Sequence, residues 1–153
     1  MAVRMEKHIL FICTGNFYRS RFSEAVFNYL ASRKNMPWRA FSRGLAVHLV
    51  DGPISPFTLH ALQVRGISPF FTAPDRQALR RIDLEQADLV IALKREEHLP
   101  LMTEQFPDWA DRITYWEVHD LDFATPEEAL PQIEQKIFAL IDSLAKGSEA
   151  RPV

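Results

Sequence analysis

Cys13, Arg19 and Ser20 are the residues whose types and spacing suit chemistry, and they lie within ILFICTGNFYRSRFSE, residues 9–24. A thiolate is a strong nucleophile, and a guanidinium a short loop away is a planar fork able to hold two phosphate oxygens at once. Thr14, Gly15, Asn16, Phe17 and Tyr18 fill the loop between them, and Arg19-Ser20 open a helix. An apolar strand feeding such a loop into a helix start predicts an anion cradle, because loop and first-turn N–H groups converge and the helix dipole favours negative charge. Gly15 permits a left-handed backbone and Asn16 tolerates one. A helix N-terminus and a neighbouring cation lower a thiol pKa from about 8.5 to roughly 3.5–7.5, so Cys13 is expected to ionise easily. The chemistry implied is in-line attack of sulfur on phosphorus, with Arg19 and the loop amides holding the phosphoryl oxygens. The plain alternative is a small buried cysteine at a strand end beside a surface arginine; the Cys-x5-Arg-Ser spacing with its Gly-Asn pair argues against it. A nucleotide-binding Walker loop would need a Lys after its last Gly, and none is there.

The elements that must position these groups follow from periodicity. His8–Ile12 predicts a buried strand ending at Cys13, and Phe22, Val26, Phe27 and Leu30 predict an amphipathic helix to Arg33. Trp38–Ser42 reads as a second strand, Phe57–Arg65 as a short helix closed by Gly66, and Leu79–Gln86 as a partly irregular helix. The nearly continuous apolar run Ala87–Leu93 predicts a parallel strand covered on both faces. A helix over Lys94–Phe106, a last strand over Arg112–Trp116 and a loop over Glu117–Thr125 come next. The final helix starts at Pro126, with Ile133, Ile137, Phe138, Ile141 and Leu144 as its core stripe. Strand–helix alternation predicts a single-domain α/β fold over 1–153, a doubly wound sheet of about four parallel strands flanked by helices. The phosphate-binding loop follows the first strand, at the end of the sheet where such folds bind ligands. The ordered core is expected over 7–145, with 147–153 as a flexible tail.

The string C-T-G-N-x-x-R-S-x-x-[SA]-E after an apolar strand resembles the low-molecular-weight protein tyrosine phosphatase family, and the resemblance extends over 7–145. GPISPFTLHALQVRGI matches the family's G-x-P-x-[DS]-x-x-A…L…G-I stretch. The resemblance implies Cys13 as nucleophile and residues 14–20, Arg19 among them, as the phosphate-binding loop. It implies Ser20 as a donor to the thiolate, and Ser42, in the family's S-A-G segment, as a brace for Asn16. The acid that protonates the leaving oxygen is sought in Glu117–Phe123. There Asp120 matches the family's V-x-D-P segment, with Asp122 as rival and His119 a third donor in principle. Phe123 and Tyr18 are expected to frame a cleft for phosphotyrosine. The departures are specific: Leu121 stands where Pro is usual, Arg43 where Ala is usual, and Leu93-Lys94 where Met-Asp is frequent. Tyr18 stands where many members carry a second cysteine, which marks a divergent bacterial-type member. It also excludes the disulfide cascade of thioredoxin-coupled arsenate reductases.

The chain has 153 residues, 47% hydrophobic and 25% charged, with a formal net charge of −2. That is enough for one sizeable core and offers no basic field for nucleic acid or an acidic membrane. One cysteine excludes an intrachain disulfide, and the five histidines lack ligand spacing, so neither metal nor cofactor is expected. The start of the sequence lacks a signal-like or membrane-spanning apolar run, and a reactive thiolate suits the cytoplasm. Arg76, Arg80 and Arg81 are read as a solvated face rather than an anion site. The expected partners are a phosphorylated protein or small aryl phosphate as substrate and inorganic phosphate as product, without nucleic acid or membrane. A cysteine phosphocarrier and a non-catalytic phosphate-binding module on the same fold are the competing readings. Turnover of an aryl phosphate separates the first reading from both.

Overall fold

The computed structural model describes residues 6–147. The expected tail beyond Gly147 lies outside the described residues. Strand β1 (Lys7–Cys13) pairs in parallel with β2 (Trp38–Gly44) along its full length, and with β3 (Leu89–Ala92) on its other side. A short β4 (Thr114–Tyr115) pairs in parallel with β3, so the sheet order is β2-β1-β3-β4. This is the expected four-stranded parallel α/β sheet.

Alternation along β1 explains its two-sided burial. Ile9, Phe11 and Cys13 face one layer, with helices α1 (Arg19–Arg33), α2 (Pro56–Val64) and α5 (Pro126–Ala145). Leu10 and Ile12 face the other, with α3 (Arg81–Gln86) and α4 (Arg95–Gln105). Successive strand residues point to opposite faces, and parallel sheets keep both faces covered. Each large side chain so buried contributes about 1.5–3 kcal/mol. Phe11 anchors the first layer through an edge contact with Phe27 and a tilted one with Trp116, at 6.1 and 5.8 Å between ring centroids.

The chain leaves β1 toward β2 and returns to β3 on β1's other side, so the strand order reverses at β1. In open α/β sheets the ligand crevice lies outside the strand C-termini at such a point. Cys13 is the last residue of β1. On the same edge of the sheet, Trp116 and Val118 N–H groups donate to Ala92 and Leu93 carbonyls at 2.8 Å. That pairing carries the chain after β4 to Asp120.

Several boundaries differ from the sequence expectation. The expected helix over Leu79–Gln86 begins at Arg81, because Ala78 bridges Gly44 and Leu79 N–H donates to Gly44 O at 2.8 Å. The last strand shrinks to two residues because it is an edge strand opposite only Ile91 and Ala92. Phe138 was expected in the α5 stripe but is 44% exposed. The buried face instead runs through Leu130, Ile133, Ile137, Leu140, Ile141 and Leu144. That set keeps the i, i+3, i+4, i+7 spacing, whereas Phe138 sits one residue past Ile137 and so about 100° around the helix.

Candidate active site

The loop after β1 is braced from several sides. Asn16 takes a left-handed backbone, φ 51°, and its buried side chain uses three hydrogen-bonding groups. Its Nδ2 donates to Ser20 Oγ at 3.0 Å and to Ser42 Oγ at 2.9 Å, while its Oδ1 accepts from Gln77 N–H at 2.8 Å. Ser42 in turn donates to Glu24 Oε1 at 2.6 Å. Asn16 therefore ties the loop to α1, β2 and the strand-like segment before α3. Of the Gly15-Asn16 pair, both able to take a left-handed backbone, it is Asn16 that does so. Gly15 serves close approach, since a Cβ there would collide with Val50 Cγ2. Gly44 does the same beneath the loop, where a Cβ would lie 2.8 Å from Thr14 O and 2.9 Å from Asn16 N.

Cys13 Sγ and Ser20 Oγ are hydrogen bonded at 2.9 Å. As a thiol the sulfur donates; once ionised it accepts from the same hydroxyl, whose oxygen already takes Asn16 Nδ2–H. Arg19, 1% exposed, is gripped on several atoms. Its Nη1 donates to Glu97 Oε1 and to Val118 O, both at 3.1 Å. Its Nη2 donates to Glu97 Oε2 at 2.6 Å and lies 3.3 Å from Asp120 Oδ2. Cys13, Ser20, Arg19 and Asp120 therefore gather at one end of the sheet, although Asp120 arrives from the far end of the sequence.

Glu97, on α4, was not singled out from the sequence. It also accepts from Thr14 Oγ1 and lies 3.1 Å from His98 Nε2. His98 is wholly buried and its Nδ1 accepts Lys94 N–H at 3.0 Å, which leaves Nε2 to carry the ring proton. Burial pushes His98 below its ordinary pKa and keeps the ring neutral. Burial opposes ionisation of Glu97, yet hydrogen bonds from His98 and Arg19 outweigh it and hold the carboxyl well below the usual range. The signal for Glu97 was an acid one helical turn after Lys94, the residue that breaks the Met-Asp pattern.

Arg21 was also missed. It is 1% exposed and donates to Thr72 Oγ1, to Pro53 O at 2.7 Å and to Ala73 O, stitching the loops around α1. Arg76 donates to Gly52 and Val47 carbonyls, Arg80 pairs with Asp83, and Arg81 pairs with Asp108. Each of these three arginines thus has a partner within the protein, and Arg76 is half-buried.

The acid-bearing segment is lighter. Phe123 and Ala124 N–H groups donate to Asp120 O at 3.0 and 3.1 Å, closing a turn, and Leu121 N–H donates to Asp120 Oδ1 at 2.9 Å. Asp122 and His119 are exposed. Phe123, 69% exposed, receives the Lys94 ammonium 4.1 Å from its ring centre, a cation–π contact. Tyr18 was expected beside Phe123 as a cleft wall, but its ring is 4% exposed and packs in the layer of α1 and α5. Among the described residues its hydroxyl is the buried side-chain polar atom without a hydrogen-bond partner. Burial, then the charge of Asp120, pushes its pKa up to about 12, so it stays protonated.

The family described as low molecular weight phosphotyrosine protein phosphatase matches residues 8–149. A protein-arginine-phosphatase of Bacillus subtilis (strain 168) is 30% identical over 106 residues, covering 69% of this chain and 67% of that protein. The low molecular weight protein-tyrosine-phosphatase YfkJ of the same organism is 32% identical over 90 residues, covering 58% of this chain and 56% of its own length. Its crystal structure shares the fold with a TM-score of 0.82 at 24% identity, over 97% of this chain and 100% of that one. The low molecular weight protein tyrosine phosphatase from T. tengcongensis superposes with a TM-score of 0.73 at 28% identity, over 94% of this chain and 100% of that one. With a match spanning nearly all of its sequence and a phosphatase-type loop after β1, this chain belongs to the low molecular weight phosphotyrosine protein phosphatase family.

Proposed function

We propose that the protein hydrolyses phosphotyrosine or a similar aryl phosphate through a phosphocysteine formed on Cys13. The observation that carries this reading is the meeting of Cys13, Arg19 and Ser20, from one loop and helix start, with Asp120 from a distant part of the chain. Ser20 Oγ is 2.9 Å from the Cys13 sulfur, and Asp120 Oδ2 is 3.3 Å from the Arg19 guanidinium. In the first step the thiolate attacks phosphorus, an S–P bond forms, and the bond to the aryl oxygen breaks. Arg19 and the amides of residues 14–20 hold the phosphoryl oxygens, where charge is best stabilised by preorganised donors. Asp120, carrying a proton, gives it to the departing oxygen. In the second step water attacks phosphorus and Asp120 takes a proton from it. The S–P bond breaks, and Ser20 donates to the sulfur as it leaves. Inorganic phosphate departs and the thiolate is restored. Asn16 and Ser42 hold the loop in shape throughout. No metal or cofactor enters these steps.

The exposed ring of Phe123, three residues from Asp120, supports an aromatic leaving group, since it can stack on a phenol at the mouth of the site. The similarity to the protein-arginine-phosphatase supports a second reading, in which the leaving atom is a guanidine nitrogen. Among the described residues no helix is long and apolar enough to cross a membrane. A catalytic thiolate suits a reducing cytoplasm. Initial rates on phosphotyrosine, para-nitrophenyl phosphate, phosphoserine and phosphoarginine peptides test the proposal. Preference for the aryl esters is expected. Preference for phosphoarginine would select the second reading, and lack of turnover on all four would leave the carrier or binding module.

A further inference from the structure

Arg19 donates end-on to Glu97. Nη1 and Nη2 form two parallel contacts with the two carboxylate oxygens, at 3.1 and 2.6 Å. The second Nη1 proton goes to Val118 O at 3.1 Å. In a planar guanidinium, what remains is one edge, formed by Nε–H and the second Nη2–H. Asp120 Oδ2 lies 3.3 Å from Nη2. A fork held end-on by one carboxylate still has two nearly parallel donors to offer a phosphoryl group side-on.

Glu97 reaches beyond Arg19. The hydroxyl of Thr14, the residue after Cys13, also donates to Glu97 Oε2. One carboxylate thus joins the beginning of the loop to its end. His98 Nε2 lies 3.1 Å from both Glu97 Oε2 and Thr14 Oγ1, with the His98 ring fixed through Lys94 N–H. Arginine has a long flexible stem, and an unheld guanidinium would have to lose that freedom in each catalytic cycle.

We propose that Glu97 is the positioning residue of the active site. From α4 it clamps Arg19 end-on, ties it to Thr14, and presents the Nε–Nη2 edge to the phosphoryl oxygens. This rests on the reading that Arg19 grips the transferred phosphoryl group. Glu97 itself touches neither substrate nor the reacting atoms; its effect passes through Arg19.

The test is a double-mutant cycle of Glu97→Gln with Arg19→Lys, read as kcat and KM for para-nitrophenyl phosphate and as competitive inhibition by inorganic phosphate. Glu97→Gln is expected to lower kcat about tenfold or more and to weaken phosphate inhibition. In the Arg19→Lys background the same change should cost less than about threefold, because the grip it organises is already lost. Three results overturn the proposal: kcat within about threefold of the parent, equal losses in both backgrounds, or tighter phosphate binding with faster turnover. The second would make Glu97 a fold residue only, and the third an internal competitor for the anion site. If Arg19→Lys alone leaves kcat unchanged, the role of Arg19 fails first, and that failure is distinguishable. Should Glu97→Gln not fold, as read by circular dichroism, Glu97→Asp runs the same cycle with the same criteria.

Discussion

The loop over 13–20 and the segment over 117–125 face the same crevice but are built in opposite ways. In the first, Asn16, Arg19 and Ser20 are at most 1% exposed, and their polar groups are bound to α1, α4, β2 and the segment before α3. In the second, Leu121 and Phe123 are 47% and 69% exposed. Val118 anchors its start, buried and bonded to Leu93 and Arg19; beyond it, contacts include a turn at Asp120, a cation–π contact at Phe123 and an ion pair from Asp120 to Arg19. Buried, fully satisfied polar networks rigidify a site, whereas exposed segments with few apolar contacts open at low cost. The proposed anion cradle is thus braced throughout, whereas the proposed acid sits on a lighter segment. Asp120 Oδ2 lies 3.3 Å from Arg19 Nη2, so the lighter segment reaches the braced loop through this ion pair.

The largest effect that separates the two regions is expected from the acid. Asp120→Asn should slow phenyl phosphate hydrolysis by roughly 10²–10⁴-fold and para-nitrophenyl phosphate much less, because a good leaving group departs without a proton. Asp122→Asn should leave both within about threefold. Leaving-group dependence of kcat measures this, and the selective pattern at Asp122 would move the acid by two residues.

Next comes the brace. Asn16→Ala removes the link to Ser20, Ser42 and Gln77 and leaves buried donors and acceptors unmatched. Denaturant unfolding should show a loss of about 1–3 kcal/mol, and kcat should fall about tenfold or more as the cradle loosens. A full loss of stability with unchanged kcat would mean that loop shape and catalysis are separable here.

The cradle was legible because strand, loop and helix start lie within sixteen consecutive residues, and each needs a recognisable residue type. Asp120 was reached only through resemblance. Glu97 was invisible to local reading, because its partners Thr14 and Arg19 are 83 and 78 residues away and a glutamate near a helix start looks solvated. Arg21 was hidden for the same reason, since a charged residue in a first helical turn is rarely 1% exposed. Tyr18 was expected as a cleft wall through the resemblance, and only packing shows its ring turned inward.

A smaller effect is expected with pH. The carboxyl of Glu97 is held below its ordinary range in the folded protein despite burial, through His98 and Arg19. A depressed acid stabilises the fold above its unfolded pKa, and that contribution is lost as pH falls from there toward the folded value. Melting temperature should therefore decline below the ordinary carboxylate range, and Glu97→Gln should flatten that decline. Parallel curves for parent and variant would show that the clasp does not couple to folding.

The smallest effect belongs to the light segment. Phe123→Ala should change stability by less than about 0.5 kcal/mol, as exposed positions do. It should raise KM for aryl phosphates a few-fold while leaving phosphate inhibition unchanged. Weaker phosphate inhibition would place Phe123 in the cradle rather than at its rim.

The central claim is that phosphate leaves by way of the Cys13 sulfur. Rapid acid quench during turnover of para-nitrophenyl phosphate, followed by intact-mass measurement and peptide mapping, tests it directly. A transient phosphoryl adduct on the peptide containing Cys13 is expected, formed and lost at rates consistent with turnover, and absent with Cys13→Ser. Turnover by the Cys13→Ser protein at a rate comparable to the parent, or an adduct on any other residue, would contradict it.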